Sequence, residues 1–360
     1  MNQAKPQFSI PYPRFKTRRV FLRFLIRGLL RLLTRLNVEG LEHIPREGAV
    51  ILAGNHVSYL EPVMMMAFPD RFVEPIGAGD MPFENGLEKL VSFFGYISID
   101  RGSLDRKGIN QALDVLRQGG VISIFPEGGM WEPGRMQPQI GVAMLSQRTG
   151  APVIPIGFSG LSGSIKNALG FRFPKIQMKV GEPIPAPGAS GGSPDKSLLL
   201  TFSRQILDEI YSLIEEDEKA LIPLEQRHQL SVKVGETVLA PSWGPAFAHF
   251  LHAPVLLDSL KINLKLPIQV LYGQRENVSF TAMQSALAAI LDYLKINPSF
   301  FTYRFGKEEG NQVGEGLREL SALLKEAQTE GKDVCLETRE TLRYKDGRIA
   351  KSEKRFVITP

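Results

Sequence analysis

Apolar residues in this chain fall into two kinds of run. Val50–Ala53, Ile97–Asp100, Val121–Phe125, Val153–Phe158 and Ile176–Val180 are short and densely apolar, which predicts buried strands. Between them, Pro62–Met66, Lys107–Arg117 and Gly141–Arg148 predict helices. Pro62 suits a first helical turn, Gly119-Gly120 stops the second helix and Gly150 ends the third. Strands alternating with helices predict an α/β fold, a mostly parallel twisted sheet flanked by helices.

Glu182–Lys196 is rich in Pro, Gly and Ser and predicts a loop, followed by a helix over Ser197–Glu215. Charges and prolines at Glu215–Pro223 mark a boundary, and residues 221–360 predict a C-terminal α+β extension. In that extension, Ile268–Tyr272 and Phe300–Phe305 resemble strands, while Thr281–Ile296 and Gly316–Gln328 are amphipathic helices. Leu336–Tyr344 and Ile349–Ile358 flank Lys345-Asp346-Gly347, a hairpin signal. Three segments result: 1–36, 37–220 and 221–360.

The N-terminal segment has its own pattern. Arg14–Leu36 contains no proline, and Arg19, Arg23, Arg27, Arg31 and Arg35 recur every four residues, one drifting stripe on a helix. Phenylalanines and leucines fill the gaps. No uncharged run approaches the about 20 residues that span a bilayer. The pattern predicts an amphipathic helix in the membrane interface, leucines in the acyl boundary and arginines on lipid phosphates. One alternative is a helix packed on its own domain, which leaves five aligned arginines to be partnered. The other is an Arg-rich transit peptide, against which stand the scarcity of serine and the direct run into the first strand.

Charge sharpens that expectation. The 360 residues carry a net +5, yet residues 1–38 hold nine bases and no acid, which leaves the remainder at −4. Basicity confined to one end predicts an anionic membrane surface as partner and gives no reason to expect nucleic acid. With Cys335 as the single cysteine, no disulfide framework forms within one chain, consistent with a reducing compartment. The five histidines, His43, His56, His228, His249 and His252, show no metal-ligand spacing, so no metal is expected. Ser242 lies near His249 and His252, but no nucleophile-elbow motif surrounds it, which disfavours a hydrolase.

The chemically informative run is Asn55-His56-Val57-Ser58-Tyr59-Leu60-Glu61. An imidazole general base needs a carboxylate to fix its tautomer and stabilise the imidazolium. Five residues apart on a continuous helix, His56 and Glu61 would diverge by roughly 140°. They meet only if His56 is on the loop and Glu61 starts the helix, as Pro62 suggests. Arg101 and Glu127-Gly128 also follow predicted strands, and ligands of open α/β sheets bind beyond the carboxyl ends of strands.

These blocks, His56-x₄-Glu61, Gly95–Arg101, Phe125-Pro126-Glu127-Gly128 and Val153-Ile154-Pro155-Ile156, resemble in order and spacing the lysophosphatidic acid acyltransferase (PlsC-like) family over residues 37–215. The resemblance implies that His56, assisted by Glu61, deprotonates an acceptor hydroxyl. The alkoxide then attacks the thioester of acyl-CoA or acyl-carrier protein, a co-substrate rather than a cofactor. It implies that Arg101 and Glu127-Gly128 bind the phosphate and glycerol portion of a lysophospholipid acceptor, and that the protein sits at the cytoplasmic face of a membrane. An arginine fork suits phosphate, whereas Glu127 suits an acceptor hydroxyl or a basic side chain.

Two departures stand out. Position 61 is Glu where the family usually has Asp, and Gly129-Met130 stands where Thr-Arg is usual, so that Arg135 becomes the candidate replacement cation. They leave open the acceptor's identity and, as the alternative, a catalytically impaired lipid-binding or scaffolding member of the fold acting through its C-terminal domain.

Overall fold

The computed structural model describes residues 8–78, 93–100, 105–129, 138–188, 195–219, 222–264, 266–273 and 275–359. The chain divides into two compact units, which change over at Lys219–Ala220.

The first unit is a three-layer sandwich on a seven-stranded sheet. Its strands are β1 (Arg35–Glu39), β2 (Val50–Gly54), β3 (Val73–Ala78), β4 (Ile97–Ile99), β5 (Val121–Ile124), β6 (Val153–Ser159) and β7 (Lys175–Val180), in the order β1-β7-β6-β2-β5-β3-β4. Every neighbouring pair is parallel except β6 and β7. The central β2 is buried at all five positions because both faces are covered. Val50 and Leu52 face α1 (Lys16–Leu33) and α2 (Leu60–Ala67). Ile51 and Ala53 face α3 (Arg106–Arg117), α4 (Gly141–Thr149) and α6 (Lys196–Leu213). A short helix, α5 (Ser164–Leu169), links β6 to β7. The five strands expected here form within a residue or so of their predicted bounds. Two others escaped notice: β3 carries Pro75, and β1 opens on Arg35.

The expected placement of the arginine stripe is overturned. Helix α1 packs on its own unit with the arginines turned inward. Arg19 is 2% exposed and forms a fork with the fully buried Glu74, at 2.7 and 2.9 Å. Its remaining donors reach the carbonyls of Val73, Phe94 and Gly95. Arg14 completes the cluster at 2.7 Å from Glu74. Arg23 and Arg27 donate to the carbonyls of Ala67, Phe68 and Pro69 at the C-terminus of α2, where unpaired carbonyls and the helix dipole favour a cation. Only Arg31 is exposed on the helix; Arg35 has left it, because the backbone N–H of Arg35 donates to Pro174 and starts the β1–β7 ladder. The exposed face is instead apolar: Val20, Phe21, Phe24, Leu25, Leu29 and Leu32. The helix is thus part of the first unit rather than a separate segment 1–36. None of the described helices is long and apolar enough to cross a membrane.

The second unit carries a five-stranded sheet of β8 (Pro223–Val234), β9 (Thr237–Leu239), β10 (Arg275–Ser279), β11 (Val334–Tyr344) and β12 (Ile349–Thr359), in the order β10-β12-β11-β8-β9. The hairpin at Lys345–Gly347 forms as expected. The two predicted strands at its centre do not. Leu266–Leu271 is a 3₁₀ turn, and Phe300–Phe305 is helical, with Phe301 and Arg304 buried one turn apart. Phe301 packs edge-on against Phe250, so tertiary packing overrides the β-preference of an aromatic run. His228, His249 and His252 pair with Glu340, Glu309 and Thr338, and Ser242 takes no part in these bonds.

Removing one partner of a buried ion pair strands the other charge. Glu74→Ala, which leaves the Arg19 guanidinium buried without its carboxylate, is expected to lower unfolding stability by about 3–5 kcal/mol, measured by urea denaturation. Arg31→Ala should change it little.

Candidate active site

Parallel neighbours β2 and β5 end at the same edge of the sheet, and each hands the chain to a loop that carries a candidate residue. After β2, Asn55 continues the pairing with side-chain atoms. Its amide Nδ2 donates to the Phe158 carbonyl at 3.1 Å, and its Oδ1 accepts from the Phe158 N–H at 2.8 Å. That two-point bond to β6 is buried and fixes where the His56 loop departs.

The loop then turns into α2, and the expected geometry appears: His56 precedes the helix and Glu61 lies in its first turn. His56 Nδ1 faces Glu61 Oε2 at 3.5 Å, longer than a hydrogen bond, and among the described residues neither atom has a hydrogen-bond partner. An imidazole–carboxylate contact in a general base is often long in the free protein and tightens in the substrate complex. Glu61 is fully buried, and its other oxygen accepts the Val57 N–H at 3.0 Å. The longer side chain of glutamate therefore spans both the loop backbone and the imidazole, which accommodates the departure at position 61. Nδ1 lies toward Glu61, so the ring presents Nε2 on its far side, and the side chain keeps 16% exposure. Phe125 stacks on the ring at 4.0 Å with planes 16° apart, holding its tilt.

After β5, Phe125–Gly128 forms a turn closed by the Gly128 N–H on the Phe125 carbonyl at 2.9 Å. Gly128 has φ +74°, a conformation that glycine adopts without cost. The turn points Glu127 inward. Its carboxyl is fully buried, with Oε2 accepting the His56 N–H at 3.3 Å and Oε1 the Tyr211 hydroxyl at 3.3 Å. Burial pushes the Glu127 pKa up to about 8; the His56 N–H and the Tyr211 hydroxyl oppose the rise, and the Glu61 carboxylate adds to it. Burial and Glu127 also raise the Tyr211 pKa. Glu127 thus braces the backbone under His56. Tyr211, on α6, escaped sequence reading because it lies 84 positions from Glu127 and looks like any other aromatic on an amphipathic helix. Arg101, Met130 and Arg135 lie outside the described residues, as does any phosphate contact they make.

A protein-family model described as Acyltransferase matches residues 35–159, a span that opens at β1, closes with β6 and contains His56, Glu61 and Glu127. Over this segment the chain is similar to proteins of the acyltransferase family. The 1-acyl-sn-glycerol-3-phosphate acyltransferase of Borreliella burgdorferi is 27% identical over 128 residues, covering 34% of this chain and 50% of that protein. The chloroplastic 1-acyl-sn-glycerol-3-phosphate acyltransferase BAT2 of Brassica napus is 23% identical over 134 residues, covering 35% and 38%. The chain spans half or less of the length of these relatives. The crystal structure of PlsC, the 1-acyl-sn-glycerophosphate acyltransferase of Thermotoga maritima, aligns with 57% of this chain and 84% of its own at a TM-score of 0.41 and 21% identity. Asn55, His56, Glu61 and the Phe125–Gly128 turn all fall within the family span, whereas α1 and Tyr211 lie outside it.

The raised Glu127 pKa has a definite consequence for stability. The unfolded chain releases this proton near the ordinary carboxylate value of 4.5, the folded chain only near 8, so the group's contribution declines as pH rises between those values. The slope from one such group approaches roughly 1 kcal/mol per pH unit. Thermal unfolding of Glu127→Gln, which has no proton to lose, should therefore gain on wild type as pH is raised from 5 to 8. A difference independent of pH would show that Glu127 is ionised in the folded protein.

Proposed function

We propose that the protein is an O-acyltransferase that moves a fatty acyl group from acyl-CoA or acyl-carrier protein to a hydroxyl of a lysophospholipid such as 1-acylglycerol-3-phosphate. One observation carries the reading: an imidazole held 3.5 Å from a buried carboxylate at the carboxyl edge of the sheet, within the acyltransferase span. In the proposed reaction, His56 Nε2 takes the proton of the acceptor hydroxyl while Glu61 stabilises the imidazolium through Nδ1. The acceptor oxygen forms a bond to the thioester carbonyl carbon, the C–S bond breaks, and the departing sulfur takes the proton back from His56. No acyl-enzyme is needed. Phe125 and the Glu127–Tyr211 brace hold the base in place.

The acceptor and product are lipids, so the protein works at a membrane surface, peripherally or monotopically. The outer face of α1 supports this reading in a corrected form. Phe21, Phe24, Leu25, Leu29 and Leu32 enter the acyl boundary, while Arg19, Arg23 and Arg27 bind the helix to the domain. Arg31 remains to meet lipid phosphates.

Purified His56→Ala should retain no more than about one hundredth of the wild-type kcat/KM, because a positioned general base contributes about 10²–10⁴-fold. Thiol release from acyl-CoA or acyl-carrier protein, measured across a panel of lysolipids, checks this. Near-normal turnover by His56→Ala would exclude the base. A wild type that binds lysolipid but releases no thiol would favour a lipid-binding member of the fold.

A further inference from the structure

The connection between β6 and β7 carries a surface that the site above does not use. Leu169 and Phe171 are 71% and 70% exposed, and Ile165 and Phe173 are exposed as well. Lys166 and Arg172 are exposed among them. Phe171 and Phe173 have φ of 54° and 44°, a left-handed backbone that bulky side chains avoid. The chain therefore accepts both strain and exposed aromatic rings within three residues, a combination that folding of this unit by itself does not reward.

The position of this segment in the sheet gives it a direction. β6 is the parallel neighbour of β2, with Gly54 opposite Ile156, and Asn55 is bonded to Phe158. The Ile165–Phe173 segment thus leaves the sheet at the same edge as His56. The C-terminus of α1 arrives there too: two residues beyond Leu33, the Arg35 N–H donates to Pro174 at 2.9 Å and its Nε to Phe173 at 3.0 Å. The apolar face of α1 and the aromatic segment therefore converge on the catalytic edge.

We propose that Ile165–Phe173 is a second membrane contact, which inserts Leu169, Phe171 and Phe173 at the acyl boundary of an anionic bilayer and sets Lys166 and Arg172 on lipid phosphates. Single basic residues interleaved with apolar ones suit a lipid surface, where a long cation reaches the headgroups while its neighbours stay in hydrocarbon. One contact along α1 leaves the protein free to rock about the helix axis. A second at the His56 edge fixes that edge against the bilayer, so a lysolipid can present its hydroxyl without leaving the membrane. This consequence rests on the proposed acceptor; the membrane contact itself does not.

The test uses the full chain with vesicles of phosphatidylcholine and phosphatidylglycerol, and with phosphatidylcholine alone. Phe171→Asn/Phe173→Asn removes the apolar rings with a residue that tolerates positive φ. It should lower partitioning onto the mixed vesicles by about tenfold or more, with the unfolding midpoint unchanged. Lys166→Glu/Arg172→Glu should remove the preference of this segment for the anionic vesicles. Unchanged partitioning of both variants, with loss only in Phe21→Ser/Phe24→Ser, would leave α1 as the sole contact and overturn the proposal. A change of oligomeric state in Phe171→Asn/Phe173→Asn with unchanged partitioning would assign the patch to a second copy of the chain, and also overturn it. Loop-dependent vesicle binding by a wild type that releases no thiol would support the membrane contact while refuting the acyltransferase reading.

Discussion

Parallel pairing of β2 with β5 governs the site. It brings two chain segments more than sixty residues apart to one edge, where each leaves the sheet within three residues of a functional side chain. Neither loop is held by hydrophobic packing alone. Asn55 extends the β2–β6 ladder by two further bonds, and Glu127 accepts the backbone N–H of His56 itself. Buried polar groups that are satisfied in this way specify one arrangement, because any other leaves a donor or acceptor desolvated. The imidazole inherits that rigidity through its backbone below and through Phe125 at its face.

The two glutamates of the site have different physical tasks. Glu61 is divided between the Val57 N–H and the imidazole, at the positive end of α2 where a carboxylate is favoured. Glu127 is fully buried, and burial makes it hold its proton well above the usual carboxylate range. A protonated Glu127 keeps its own negative charge out from under His56.

Helix α1 shows a related division of labour between charge and apolar surface. A stripe of five arginines on a helix suggests a cationic face for an anionic surface. In this protein three of them are internal ties: Arg19 to the buried Glu74, Arg23 and Arg27 to the carbonyl end of α2. Having spent its cations inward, the helix offers aromatic and aliphatic side chains outward. In the proposed membrane contact the same apolar residues would face the acyl boundary under either arrangement, but the electrostatic contribution would shift from the helix to whichever basic residues remain exposed near it.

Five strands of the first unit, the loop-to-helix placement of His56 and Glu61 and the Phe125–Gly128 turn were legible in the sequence, since each rests on local rules. Densely apolar runs of four to six residues must be buried, a proline after Glu61 marks a helix start, and a glycine after a strand permits a positive φ. The arginine orientation, the inward turn of Glu127, its link to Tyr211 and the helical Phe300–Phe305 were not legible, because their partners are remote in sequence. Arg19 finds Glu74 fifty-five positions away and Glu127 finds Tyr211 eighty-four positions away. By itself the sequence determined the densely apolar strands of the first unit and which side chains can do chemistry, because backbone preference and apolar periodicity act over a few residues. Only the tertiary structure decided which side chains are desolvated and what they then touch, because burial is a property of the packed whole.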